Sequence, residues 1–303
     1  MPKRGHGGAF RGRERVQVFW FILLAVLAVF GFVAGNWMSR GSRQRTVLVG
    51  GGALGLLAIW VWLLHHPAVA VHVLPVSVLA HVEGVGAVPL FMAIVGVAWT
   101  NASLPRQRRI TILAAFFGGI FFLQGSLWML QSAPARVLGE SSRQTVVMQS
   151  QDYTCVPAAC ATALHRLGVL TSEAEMAELT QTRPGTGSTL IRALDGLRRK
   201  LDREMGRIAG VDADESEASI RSVRIAGTLR PELLQPALTE LVLLQPPLIT
   251  PLQAETTQLH MVVILSVDRG SIRIADPELG VIRLSTDEFA QQYTGQVIHF
   301  VRR

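Results

Sequence analysis

The sequence predicts an α+β protein in two parts: N-terminal multi-pass transmembrane helices, then a domain in which helices precede an antiparallel sheet. Three observations predict it. Charge is unevenly spread: residues 1–139 carry 12 Lys/Arg against two acids, Glu14 and Glu83, while residues 140–303 carry 17 against 20. The formal +7 is therefore a +10 half joined to a −3 half. The first half also holds long apolar runs, and the second replaces them with helix-period segments followed by short β-prone runs. A chain of 303 residues accommodates two domains, here 1–139 and 140–303.

In the first part, Val16 to Val33, Val47 to Leu64 and Ile110 to Leu130 each approach the roughly 20 apolar residues that cross a hydrocarbon core. Ala68 to Thr100 is apolar but interrupted by His72, Pro75, His81, Glu83 and Pro89, so it forms one broken helix or two short ones. Four spans are expected, with five as the rival count. The basic runs Lys3 to Arg15, Arg40 to Arg45 and Arg106 to Arg109 flank these stretches, the pattern of membrane-edge charge rather than of a nucleic-acid surface. The basic N-terminus and Arg40, Arg43 and Arg45 would lie on opposite sides of one crossing, so charge leaves the topology open. No small-residue cleavage site follows the first run, which argues against a signal peptide. His65, His66, His72, His81 and Glu83 lack ligand-type spacing and are expected in loops or at the interface.

From Gln144 onward the expected elements run in order. Pro157 to Leu167 is a helix closed by Gly168, with Pro in its first turn. Thr171 to Thr180 is a second, with Ser172 as cap and Glu173 and Glu175 in the first turn. Thr189 to Met205 is a third, with Leu190, Ile191, Leu194, Leu197 and Leu201 on one face. Asp212 to Ser219 reads as a solvated loop or short helix, and Pro231 to Leu244 as a helix. Leu248 to Thr250, Met261 to Val267, Ser271 to Ala275, Val281 to Leu284 and Gln296 to Val301 are strands. Asp268-Arg269-Gly270 turns the first hairpin, and Thr286 to Tyr293 is a helix before the last strand.

The candidate chemistry centres on a thiol. A free cysteine ionises near pH 8.5, and a helix N-terminus favours its thiolate. Cys155 lies just before the Pro157 helix; the alternative is a buried small apolar side chain. Cys160 lies inside the same helix among alanines and reads as core. The two cysteines point about 140° apart on a helix, which disfavours a disulfide. His165 is about 15 Å along the helix from Cys155, and His299 sits within the last strand. His260, opening a strand, can project from a sheet edge, and Asp276 ends the partner strand almost opposite it. The pair supplies a base and its orienter, with Asp276-Pro277 also suited to start a turn. Gln149 ahead of the thiol supplies a neutral oxyanion donor, with Gln151 as a neighbour open to confusion with it. No cofactor or metal motif occurs.

Gln149–Leu167, His260-Met-Val-Val, Ala275-Asp276-Pro277 and Ser285-Thr-Asp-Glu-Phe through Thr294-Gly-Gln-Val resemble the bacteriocin-processing cysteine peptidases of family 39, which cut after double-glycine leaders. The resemblance spans residues 145–302 and implies a papain-like domain. Its nucleophile, base, orienting aspartate and oxyanion glutamine fall on Cys155, His260, Asp276 and Gln149. It also implies a peptide or protein substrate and a bacterial inner-membrane setting. Val156 stands where the family usually has Gly, which would narrow the site or reshape the oxyanion loop. Family members are commonly fused to an exporter and ATPase, whereas no phosphate-binding Gly-rich loop occurs here. The implied partners are thus the lipid bilayer and a separate ABC-type exporter, with no nucleic acid.

The leading expectation is a membrane-anchored cysteine endopeptidase acting on leaders. Rivals are a catalytically inactive peptide-binding module of the same fold, motivated by Val156, and acyl or amide transfer by the same residues. Four spans with an inside start put the domain in the cytoplasm, where thiols stay reduced; five put it outside.

Overall fold

The computed structural model describes residues 7–130, 146–207, 217–253 and 259–302. Its contacts divide the chain into two compact units, Met1–Val73 with His81–Gln131, and Leu74–Ala80 with Ser132–Arg303. The expected junction at 139/140 and most of the acidic stretch after Asp212 lie outside the described residues.

The N-terminal helices are α1 (Gly7–Met38), α2 (Arg43–His65), α3 (Pro67–Val73), α4 (Val76–Val82), α5 (Val88–Asn101) and α6 (Pro105–Leu130). Among the described residues two helical stretches are long and apolar enough to cross a membrane, Val18–Met38 and Arg43–His65, where the sequence suggested four. The third apolar run lies in α6. The interrupted stretch forms three helices, α3 to α5, rather than one or two. Pro67 and Pro89 sit in first turns, where a missing N–H is harmless, and turn residues Glu83–Ala87 separate α4 from α5.

Glycines bring α1 and α5 together. A Cβ on Gly31 would strike the Pro89 carbonyl, one on Gly35 the Ala93 carbonyl, and one on Gly96 the Phe32 carbonyl. Such close approach is how helices associate where apolar burial gives no drive. The same crossing holds polar groups: Thr100 Oγ1 donates to Asn36 Oδ1 at 2.7 Å, and Ser39 Oγ to Thr100 Oγ1 at 3.1 Å. Phe19, Phe30, Trp37, Leu48, Phe116 and Phe117 point outward and are exposed. Apolar side chains thus lie on the outside as well as in the interior, where Leu24, Val88, Val95 and Phe122 are buried. His65, His66 and His72 donate from Nδ1 to carbonyls four residues back, at 2.8, 2.9 and 2.6 Å, and His81 stacks on Trp20. No group of three or more His, Cys, Asp or Glu among the described residues could hold a metal ion.

The second unit runs α7 (Cys155–Arg166), α8 (Glu173–Leu179), α9 (Leu190–Arg207), α10 (Glu217–Ala226), β1 (Leu229–Leu234), a 3-10 turn (Leu238–Leu243), β2 (Leu248–Gln253), β3 (Leu259–Asp268), β4 (Ser271–Asp276), β5 (Gly280–Ser285), α11 (Thr286–Gln292) and β6 (Val297–Arg302). The sheet order is β1-β6-β2-β3-β4-β5, antiparallel throughout. Helices precede sheet, as the sequence implied. Gly168, at φ 84°, closes α7, and Ser172 Oγ caps α8 by accepting from Glu175 N at 3.1 Å. Asp268 pairs with Ser271 across a two-residue turn, with Gly270 at φ 83°.

The helix expected over Pro231 to Leu244 is a correction. Residues 229–234 form edge strand β1, because Leu229, Pro231 and Leu233 alternate inward with Arg230 and Glu232. An edge strand tolerates Pro231, and only the 3-10 turn follows Pro236. The helix α10, which the acidic composition around Glu217 masked, buries Val223 and Ala226.

One sheet face packs Leu252, Val262, Ile264, Ile272, Ile274 and Val297 with Phe289 of α11 and Leu241 of the 3-10 turn. The alternating residues Ile249, Met261, Val263, Ala275 and Ile298 are equally buried on the other side. α7 packs on β2, β3 and β4. That contact fixes the start of α7 relative to the open ends of β3 and β4.

Candidate active site

Cys155 is the first residue of α7, two residues earlier than the sequence placed the helix start, and its thiol is free and half-buried. The first-turn N–H groups of an α-helix have no partner within the helix, so they face whatever lies at its start. The preceding loop is held at several points. Val147 N donates to Thr162 Oγ1 (2.9 Å). Ser150 donates to Glu173 Oε1 from its N (2.9 Å) and its Oγ (3.2 Å). Thr154 Oγ1 accepts from Gln151 N (3.1 Å) and donates to Gln151 O (2.9 Å). Gln149 N donates to Pro277 O at 2.8 Å, clipping this loop to the turn after β4.

His260 and Asp276 meet as expected, with one difference of register. Val263 pairs with Ala275, so Asp276 stands diagonally from His260 rather than opposite it. Both lie on the same sheet face, and His260 Nε2 donates to Asp276 Oδ1 at 2.9 Å. The same oxygen accepts from Glu278 N (2.7 Å) and Leu279 N (3.1 Å), so the carboxylate also organises the turn. His260 is pushed up from 6.5 to about 10, first by the bond to Asp276 and next by a hydrogen bond with Cys155, against the opposing effect of burial. Burial pushes Asp276 up, but the bonds from His260 and the two N–H groups outweigh it and hold the carboxyl below its ordinary value. The imidazole thus has its Nε2 committed to Asp276, in the groove that Cys155 also lines.

Gln149, Cys155, His260 and Asp276 line one groove of about 520 Å³. Its floor is Leu252, Ile274, Ile282 and Leu284, and exposed Leu259 and Leu279 stand at its rim. The Gln149 side-chain Oε1 is buried and has no hydrogen-bond partner among the described residues. Val156 is 3 % exposed and is not among the lining residues, so its branched side chain neither narrows the groove nor faces it. His165 is engaged elsewhere, at 2.6 Å from Thr171 O, and His299 faces Glu232 across β1–β6. Cys160 is fully buried, and burial first, then the neighbouring Cys155, pushes its thiol far above the ordinary range.

Three acidic residues escaped sequence reasoning. Asp152 and Glu278 line the groove, and Glu173 is buried beneath the Gln149 loop. Glu173 reads in sequence as a routine first-turn acid, and no pattern distinguishes it. Asp152 and Glu278 lie within three residues of Cys155 and Asp276, the one signal that points to them.

An open groove with a thiol at a helix start, a carboxylate-held imidazole and an amide beside them has the parts of a cysteine-dependent acyl-transfer centre. Residues 219–303, which include His260 and Asp276, match the model of the Peptidase C39 family. The chain is 32 % identical over 155 residues to an uncharacterized protein of Methanothermobacter marburgensis, covering 51 % of this chain and 87 % of the relative. A second uncharacterized protein, from Methanothermobacter thermautotrophicus, is 30 % identical over the same shares. Among solved structures, the peptidase domain of Streptococcus ComA, a bi-functional ABC transporter involved in quorum sensing, is 18 % identical with a TM-score of 0.41, covering 52 % of this chain and 98 % of that one. A double glycine motif protease from an AMS/PCAT transporter, in complex with the leader peptide, is 16 % identical with a TM-score of 0.38, covering 57 % and 97 %. The chain carries a domain of the peptidase C39 family.

Proposed function

We propose that this chain is a membrane-anchored cysteine endopeptidase that removes double-glycine leaders from peptides or proteins. The observation that carries the reading is His260, held by Asp276 at 2.9 Å, in the one groove that Cys155 and Gln149 also line. Cys155 gives its proton to His260, and the thiolate attacks the scissile carbonyl carbon. The oxyanion is met by the Gln149 amide and the free N–H groups at the start of α7. His260 then protonates the leaving amine, which departs and leaves a thioester on Cys155. Water, losing a proton to His260, attacks that thioester, releases the leader acid and restores the thiol. Asp276 orients the ring and stabilises its charged form throughout.

The apolar floor of Leu252, Ile274, Ile282 and Leu284 supports a peptide that presents apolar side chains to the groove. The N-terminal part (1–139) is the anchor, multi-pass, with the apolar helices Val18–Met38 and Arg43–His65 as support; the peptidase domain (140–303) is papain-like and faces the cytoplasm. An ABC-type exporter on a separate chain is the partner that moves the product. Burial of Val156 outside the groove lining supports the peptidase reading over an inactive binding module. The test is cleavage of an internally quenched peptide carrying an amphipathic leader and a Gly-Gly junction by the full chain in nanodiscs. Cys155→Ala should abolish cleavage with an unchanged melting profile; persistent cleavage by that variant refutes the reading.

A further inference from the structure

We infer that Glu173 is a positioning residue for Gln149, an inference that rests on the peptidase reading above. Its side chain is 1 % exposed, and its Oε1 accepts from Ser150 N at 2.9 Å and from Ser150 Oγ at 3.2 Å. No cation pairs with this carboxylate among the described residues. Ser150 directly follows Gln149, whose own N–H is fixed on Pro277 O at 2.8 Å. The backbone of Gln149 is therefore pinned on both sides, by the turn after β4 and by an acceptor at the start of α8. The amide itself is held by neither: its Oε1 is buried without a partner. Where the amide N–H reaches is set by where the two pins place the Cα.

This matters because an oxyanion donor works only within a narrow range of position. A misplacement of about 1 Å costs on the order of 100-fold in rate. The contact forms in the transition state, so its loss lowers kcat and leaves KM nearly unchanged. Glu173 is not among the residues that line the groove with Cys155 and His260.

The experiment uses the full chain in nanodiscs and the quenched Gly-Gly peptide. Glu173→Leu should lower kcat by about 30- to 100-fold with KM within about twofold. Glu173→Asp, which keeps the charge but withdraws the acceptor by one methylene, should lower kcat by about tenfold and covers the case in which the leucine variant does not fold. Glu173→Gln offers an oxygen at the same place and should stay within about threefold of wild type. In a Gln149→Ala background, Glu173→Asp should add less than about a further twofold, since the donor it positions is gone. Alkylation of Cys155 by iodoacetamide at neutral pH should be unchanged in each folded variant. Wild-type kcat in Glu173→Asp, an equal loss in Glu173→Gln, or full additivity with Gln149→Ala would each overturn the inference. If Cys155→Ala still cleaves, the peptidase reading itself has failed; if it does not, additivity at Glu173 defeats this inference alone.

Discussion

Replacing Asp276 with Ala should move the basic limb of the kcat/KM profile toward neutrality. In the intact site His260 rises from 6.5 to about 10, and the bond to Asp276 is the largest cause. The carboxylate acts through that bond and through its charge, so its removal should move the limb down by about 1–3 pH units, each unit equal to about 1.4 kcal/mol before solvent screening. The sign for stability follows from the same directions. Because the folded pKa of His260 is raised, its proton stabilises the fold fully below pH 6.5, and that contribution disappears as pH rises through about 10. Asp276 is depressed, so its contribution is present above 3.8 and lost as pH falls through its folded value. Wild-type stability conferred by this pair should therefore decline from pH 6.5 to 10, and the Asp276→Ala curve should be flatter across that window. The assays are cleavage of the quenched peptide and thermal melting, each from pH 4 to 10.5. A basic limb that stays in place in Asp276→Ala would refute the reasoning that the carboxylate holds the proton on His260.

Cys160→Ala should lower stability by about 1 kcal/mol through a small cavity while leaving cleavage at wild-type rates, measured by denaturant melts and peptide turnover. Gly35→Leu should disrupt the α1/α5 crossing, because even its Cβ meets the Ala93 carbonyl, and a lower melting temperature in nanodiscs would report it. Lys200→Met should cost about 1.5–3 kcal/mol: the ammonium, 4 % exposed, bridges Glu175 and Glu204 at 2.8 Å each, and these charge-assisted bonds are lost. Urea titration of the variant checks the value.

The parts of the fold that sequence revealed are those where local chemistry and packing agree. Ser172, Gly168 and Gly270 act as caps and turn where their types predict, and His260 with Asp276 follows from a hairpin whose turn is readable. Pro231 to Leu244 misled because its leucines fit either period, and pairing with β6 decides between them. The diagonal register of His260 and Asp276 was equally hidden, because it depends on how β3 and β4 align beyond their shared turn. Glu173 could not be found at all: its meaning comes from a loop 23 residues earlier folding over it.

The central claim, that the Cys155 sulfur carries the acyl group, is tested most directly by acid-quenched mass spectrometry of the full chain during turnover of the Gly-Gly peptide. The account predicts a species heavier by the acylated leader, mapped to the peptide containing Cys155 and absent from Cys155→Ala. Turnover with the leader attached at another residue would contradict it.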